Sequence, residues 1–236
     1  MADLWRYPVK SLAGERLRRA FLGPFGLLGD RRHAVVDVEG GEALTARRAC
    51  GLLGFRARYV EGEAAESLVV STPDGMALGP DDPELDAALG RAVGRAVTLV
   101  RHTASVHDAA PVHLVTLSSL AALGEWLGAE LDSRRFRPNL VVELDDPEEF
   151  AEAQWPGRSL MIGDGAVLDV IAPTERCAVT TFDPDTLERE PAVLAALARE
   201  RENFFGVYAS VAAPGWIAVG DAIRLSPVRE PRSHLA

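Results

Sequence analysis

Thr174-Glu175-Arg176-Cys177-Ala178-Val179-Thr180-Thr181-Phe182-Asp183-Pro184-Asp185-Thr186 is the stretch around which the sequence reads most clearly. An apolar run, Ala166 to Ala172, leads into it as a strand, and Pro173, with no N–H to donate, is expected to end regular pairing. Beyond the proline the chain forms a loop that sets one thiol beside one guanidinium. Residues 183–186 then make a tight turn, because proline fixes φ and Asp183 can bond back to its own backbone. A thiol beside a cation at a strand end is placed to be a thiolate, the form that attacks electrophiles and binds soft metals. Simple packing is the other reading of a lone cysteine, a residue type that is often buried.

Downstream, Pro191 to Asn203 reads as the best helix in the sequence, with Ala-Leu spacing and no β-branched residue past Val193. Phe204 to Ala212, Gly215 to Val219 and Ala222 to Leu225 read as closing strands, and residues 229–236 as a loose tail. Upstream, strands are expected at Val112 to Leu117, Leu140 to Leu144 and Arg158 to Ile162. Ser118 is expected to cap a short helix carrying Leu120, Leu123, Trp126 and Leu127. The first hundred residues alternate short strands (Leu4 to Val9, Arg16 to Leu22, His33 to Val38, Phe55 to Val60, Leu68 to Ser71, Ala96 to Arg101) with Gly/Pro turns. One helix opens at Asp82-Pro83, with Asp as N-cap, Pro at the first helical position, and Leu85, Leu89 and Val93 on its apolar face. Short strands with few helices predict a β-rich α+β protein: a barrel-like N-terminal domain over 1–103 and a second barrel over 104–228.

Composition narrows the function classes. The net charge is −10, against the basic footprint of nucleic-acid binders. Residues 1–60 nevertheless hold 11 Lys+Arg against 6 Asp+Glu, and the remainder 14 against 29. A basic segment in an acidic protein suggests a small ligand bearing several phosphates or carboxylates. Of the 25 basic residues only Lys10 is lysine, which marks it as a place where a compact ammonium is needed and a planar guanidinium does not fit. Two cysteines, Cys50 and Cys177, make neither a disulfide framework nor a four-thiolate site. Cys50 reads as a buried small hydrophobe. No apolar run approaches the ~20 residues of a membrane helix, and the immediate strand after Met1 leaves no room for a signal peptide. A cytoplasmic protein without a membrane partner is expected.

Several short groups could bind an anion. Tyr7-Pro8-Val9-Lys10-Ser11 places an ammonium and a hydroxyl at one corner. Asp30-Arg31-Arg32 and Thr45-Ala46-Arg47-Arg48 are basic strand edges. Arg135-Phe136-Arg137-Pro138-Asn139 sets a guanidinium and an amide two residues apart, on one side of an extended segment. There is no Gly-rich phosphate loop, no His-Glu-x-x-His and no Gly-x-Ser-x-Gly.

Taken in this order and with the Arg176-Cys177-x-x-Thr180-x-x-Asp183-Pro184-Asp185-Thr186 stretch, these groups resemble the MOSC family, named for the C-terminal domain of molybdenum cofactor sulfurase. The branch most similar in character contains the amidoxime-reducing components, and the likeness runs from Trp5 to about Leu225, through Phe205-Gly206-Val207-Tyr208. The resemblance implies an N-terminal MOSC β-barrel domain, a C-terminal MOSC barrel and a molybdenum cofactor (Mo-molybdopterin). Cys177 would be the protein's ligand to the metal and, with Asp108, catalytic. Lys10, Ser11, Arg31, Arg47, Arg137, Asn139, Arg176 and Tyr208 would hold the cofactor. Two departures stand out: Ala109 and Ala110 follow Asp108 where relatives can carry hydroxyls, and Leu187 stands where the family's turn usually ends in Gly.

Two functions of different classes follow from the resemblance. The first is a molybdenum-dependent oxidoreductase reducing small N-hydroxylated substrates such as amidoximes and hydroxylamines. The second is a sulfur-carrier or cofactor-storage module using Cys177 without redox turnover. Retention of the whole cofactor set, beyond the thiol, favours the reductase. Two cysteines cannot hold the four-thiolate iron–sulfur cluster that some relatives carry, so a separate ferredoxin- or flavodoxin-like protein is expected to deliver the electrons.

Overall fold

In the computed structural model, residues 1–61 and 66–227 are described; the tail expected at 229–236 lies outside them. Among the described residues three α-helices accompany short strands gathered into four sheets, the β-rich α+β class expected. The largest sheet has eight strands and curls into a half-barrel. Its middle is built by the long strands Ala166–Glu175 and Phe204–Ala213, with Val112–Thr116 and Leu140–Val142 alongside. The N-terminal strand Asp3–Arg6 pairs with Leu140–Val142 in this same sheet, and Gly215–Ala218 pairs back onto Arg19–Gly23. The two ends of the chain are thus woven together. Leu4, Leu114, Leu140, Leu168 and Val207 fill one core beneath the sheet. A second core forms around Leu52, Phe55, Leu85 and Leu89, and a third around Phe136, Leu197 and Phe205.

Helix α1 (Pro83–Val93) starts as its sequence dictates, with Asp82 accepting from Glu84 N at 2.9 Å and Pro83 in the first turn; Gly94 closes it in the left-handed region. Helix α2 (Leu117–Leu127) begins two residues earlier than expected. Its N-cap is Thr116, whose hydroxyl accepts from Ser119 N, while Ser118 turns away to donate to Glu148 O. Helix α3 (Pro191–Arg201) stops two residues short of the expected end because Glu202 and Asn203 both take positive φ.

Pro173 does not end its strand. Pairing continues to Glu175, with Pro173 opposite Val207 between two irregularities in the register. At the second, Phe205 and Gly206 together face the single residue Thr174, a bulge in which Gly206 sits at φ 74°. A proline is tolerated where the ladder is already broken, and the bulge bends the strand end that carries the cysteine.

Candidate functional site

A cavity of about 580 Å³ opens where the Lys10 corner, the 42–49 segment, the 107–110 segment and the end of strand Ala166–Glu175 meet. All ten residues singled out from the sequence line it: Lys10, Ser11, Arg31, Arg47, Asp108, Arg137, Asn139, Arg176, Cys177 and Tyr208. Its walls carry seven basic side chains (Lys10, Arg31, Arg47, Arg48, Arg95, Arg137, Arg176) and three carboxylates (Asp37, Glu42, Asp108). Such an excess of positive charge in a concave site attracts anions.

The cysteine loop is fixed by its backbone. Thr180 N and Oγ1 bond to Cys177 O at 3.0 and 2.9 Å, and Arg176 N bonds to Asn203 O at 2.7 Å. Asp183 Oδ1 accepts from Asp185 N and Thr186 N, as the sequence predicts for a turn here. Arg135 reaches Asp183 at 2.9 Å, and Arg134 grips Asp185 with both terminal nitrogens. Leu187, at the position where the resemblance implies Gly, takes a left-handed φ of 60°. The turn geometry survives the substitution. Arg135 therefore braces the loop, while Arg137 of the same motif lines the cavity.

Arg176 is held by Phe136 O at 2.8 Å and by His113 Nε2 at 3.3 Å. A guanidinium only donates, so His113 must present a bare nitrogen. Burial first, then the charges of Arg176 and Arg31, holds the His113 pKa well below the ordinary value and keeps that nitrogen free. The Arg47 guanidinium faces the Cys177 sulfur, whose proximity raises the Arg47 pKa. Thus Cys177 stands partly exposed among cations. Lys10 Nζ meets Asp108 Oδ1 at 2.5 Å, the lysine side chain 13% exposed and the aspartate 70%. For Asp108, desolvation opposes ionisation, yet the Lys10 bond and charge, with Arg31 and Arg137 behind, bring its pKa below the ordinary value. Ser11 Oγ accepts from Ala46 N at 2.9 Å, which ties the Arg47 segment to the Lys10 corner. Asn139 Oδ1 takes His113 N at 3.1 Å and Arg31 Nη1 at 3.3 Å.

Three of these residues, Ser11, Arg31 and Arg137, adopt positive φ without being glycine. Left-handed backbone is unfavourable for such residues by roughly 1–2 kcal/mol each, and three of them lining one cavity mark a site held in shape in advance.

Sequence reasoning missed Tyr7, His107 and His113. Tyr7 is buried under Arg31 and Arg137, while the two histidines line the cavity. A histidine inside the apolar run Val112–Thr116 was the available signal for His113. Cys50, expected in a core, is exposed; it begins a short 3-10 turn at the edge of the cavity's rim residue Ala49.

The donor set suits a metal that arrives with most of its own ligands. Among the described residues no group of three or more His, Cys, Asp or Glu could hold a bare ion, whereas one partly exposed thiol faces a cavity of cofactor size. Buried polar atoms on two cavity-lining side chains, Arg176 Nε and His107 Nδ1, also lack partners.

Comparison with known proteins agrees with this geometry. The MOSC domain family model matches residues 101–224, and the MOSC N-terminal beta barrel domain model matches residues 1–110. The chain belongs to the MOSC family. Among curated MOSC relatives, "Mitochondrial amidoxime reducing component 2" of Rattus norvegicus is 33% identical over 131 residues, covering 49% of this chain and 37% of that protein. "Mitochondrial amidoxime-reducing component 1" of Homo sapiens is 33% identical over 131 residues, covering 50% of this chain and again 37% of the relative. The Mus musculus component 1 is 26% identical over 284 residues, covering 95% of this chain and 82% of the relative. A crystal structure of the YuaD protein from Bacillus subtilis shares the fold, with TM-score 0.52, 13% identity, and coverage of 94% of this chain and 92% of that one. Among the described residues no helix is long and apolar enough to cross a membrane.

Lys10→Arg is expected to weaken cofactor retention although charge is kept. The ammonium sits in a 13%-exposed slot against Asp108, and a planar guanidinium needs more room and a different approach. The pterin content of the purified variant, expected to fall below wild type, measures this; equal content would show that charge alone matters.

Proposed function

We propose that this chain is a molybdenum cofactor-dependent oxidoreductase that reduces N-hydroxylated compounds, cleaving N–OH to N–H and water with two electrons and two protons. The observation that carries the reading is one partly exposed thiol set in the wall of a cationic cavity large enough for a pterin and its anionic group. The names of the relatives support the reaction class. Lys10, Ser11, Arg31, Arg47, Arg137, Asn139, Arg176 and Tyr208 would hold the cofactor, and Cys177 would ligate its metal. When bound, the cofactor supplies two-electron chemistry that side chains cannot.

The chain's own residues do the rest. Neutral His113 keeps Arg176 aimed at the cavity beside the cysteine. Asp108, ionised and exposed beside Lys10, accepts hydrogen bonds from the N–H groups of an amidoxime-like substrate and orients it. The test is metal and pterin analysis of protein made in a host that supplies molybdenum cofactor, followed by assay with an amidoxime and a chemical reductant. About one Mo per chain with turnover is the expected result; a persulfide on Cys177 without bound pterin would replace this reading with the sulfur-carrier one.

We further propose that the electrons for this site are delivered by a separate carrier protein, as the names of the relatives allow. An acidic ferredoxin or flavodoxin suits the positive surplus of residues 1–60. Turnover with such a carrier is expected to fall severalfold between about 50 and 300 mM salt as exposed charges are screened. Steady turnover on NADH or NADPH with no added carrier would overturn the idea.

A further inference from the structure

Two guanidiniums from distant parts of the chain share one aromatic ring. The central carbon of Arg31 lies 5.0 Å from the Tyr7 ring centroid and that of Arg137 lies 4.3 Å from it. Both arginines hold left-handed backbone, at φ 49° and 52°, so each is bent toward this ring against its own preference. Arg31 is compensated: it pairs with Asp30, and Asp30 in turn accepts from Tyr7 N at 2.7 Å. Arg137 is matched less closely: the charges of Asp30 and Asp108 and the Tyr7 ring favour its ionised form, yet burial, with the Arg31 charge adding, outweighs them and brings its pKa down to about 10. Two guanidiniums beside one ring, both lining a cavity, suit an anion that bridges them.

We propose that Tyr7 is the positioning residue of an oxyanion subsite, its ring holding Arg31 and Arg137 together so that one phosphate-like group bridges both. The proposal rests on reading this cavity as the site of an anionic cofactor and names the pair that receives the anionic group. The ring is the working part of Tyr7. Its hydroxyl is buried without a partner, so nothing in the fold depends on the O–H. The ring lies close against the Gly14 backbone, where an added Cβ would meet both Arg6 O and Tyr7 Cδ1. An aromatic face attracts a cation through its negative quadrupole, which offsets the repulsion of bringing two guanidiniums together before the anion arrives.

The experiment uses the full chain produced without molybdenum cofactor and inorganic phosphate as the probe, with binding followed by calorimetry at constant ionic strength in chloride. Tyr7→Phe is expected to bind phosphate within about twofold of wild type, and Tyr7→Leu on the order of tenfold more weakly. Since leucine could disturb packing, a second series places phenylalanines bearing two, three and five fluorines at position 7. These keep the ring's outline while draining its negative face, and affinity is expected to fall stepwise with fluorination. Packing alone would not produce that trend. Flat affinity along the series, equal weakening in Tyr7→Phe and Tyr7→Leu, or no phosphate binding by wild type would each overturn the proposal. None of these outcomes touches the reductase reading, which stands or falls on metal, pterin and turnover.

Discussion

Cys177→Ala is expected to leave the protein folded and to abolish reduction of N-hydroxylated substrates, with kcat/KM down on the order of 10³-fold or more. Bound Mo should fall with it. The fold is spared because the loop is held by the Cys177 carbonyl, which accepts from Thr180 N and Oγ1, and by Arg176 N on Asn203 O. The sulfur faces Arg47 and the cavity rather than the core, and the turn beyond is braced by Arg134 and Arg135 on Asp185 and Asp183. A small residue at a partly exposed position leaves no cavity behind. Cys177→Ser keeps the shape and supplies a hydroxyl, a poor ligand for a thiophilic metal, and should be nearly as inactive. Cys50→Ala should retain full activity because Cys50 is exposed. The checks are near-UV circular dichroism, Mo per chain, and turnover of an amidoxime with a chemical reductant. Wild-type Mo content in Cys177→Ala would remove the thiol from the metal's ligand set.

Part of the candidate site was legible because some of its residues are chemically conspicuous, whereas Asp108 and Tyr208 were singled out only through the family resemblance. A lone lysine among arginines, a thiol after a guanidinium, and an Asp-Pro-Asp turn all stand out without a structure. All ten side chains then meet in one cavity. What stayed hidden depends on long-range packing. Tyr7 reads as an ordinary strand aromatic, since nothing in the sequence says that residues 31 and 137 will fold over it. The pairing of Asp3–Arg6 with Leu140–Val142 brings together residues far apart in sequence, which local patterns do not encode. Pro173 was expected to break its strand because the bulge that accommodates it lies on the partner strand. Thr116 rather than Ser118 caps helix α2 because Ser118 finds Glu148 O, a choice made between two equally good capping side chains. Cys50 was misplaced because burial statistics for cysteine say nothing about a short turn at a rim.

Gly206→Ala is expected to have the largest effect on stability of any single methyl added to this chain's site. Gly206 lies in the bulge opposite Thr174, at φ 74°, near the start of the long strand Phe204–Ala213. A Cβ there would stand 2.6 Å from His113 Nε2, 2.6 Å from Leu114 O and 2.8 Å from Val115 Cγ1. Two of the three are not free to yield. Leu114 O is backbone of the neighbouring strand, which pairs with this one, and Val115 is fully buried in the core with Phe136 and Phe205. The third, His113 Nε2, is the atom that accepts from Arg176. Left-handed backbone adds roughly 1–2 kcal/mol for a residue with a Cβ, and overpacking typically adds about 1–3 kcal/mol. Together these remove roughly 2–5 kcal/mol from a total that is commonly 5–15 kcal/mol. The melting temperature of a chain this size should drop on the order of 10 °C. The damage should also reach the site, because a displaced His113 releases Arg176 beside the cysteine. Cofactor content should therefore fall even at temperatures where the variant is fully folded. Thermal unfolding and pterin content measured on the same preparation decide both parts, and a melting temperature within 2 °C of wild type would mean that the bulge relaxes freely.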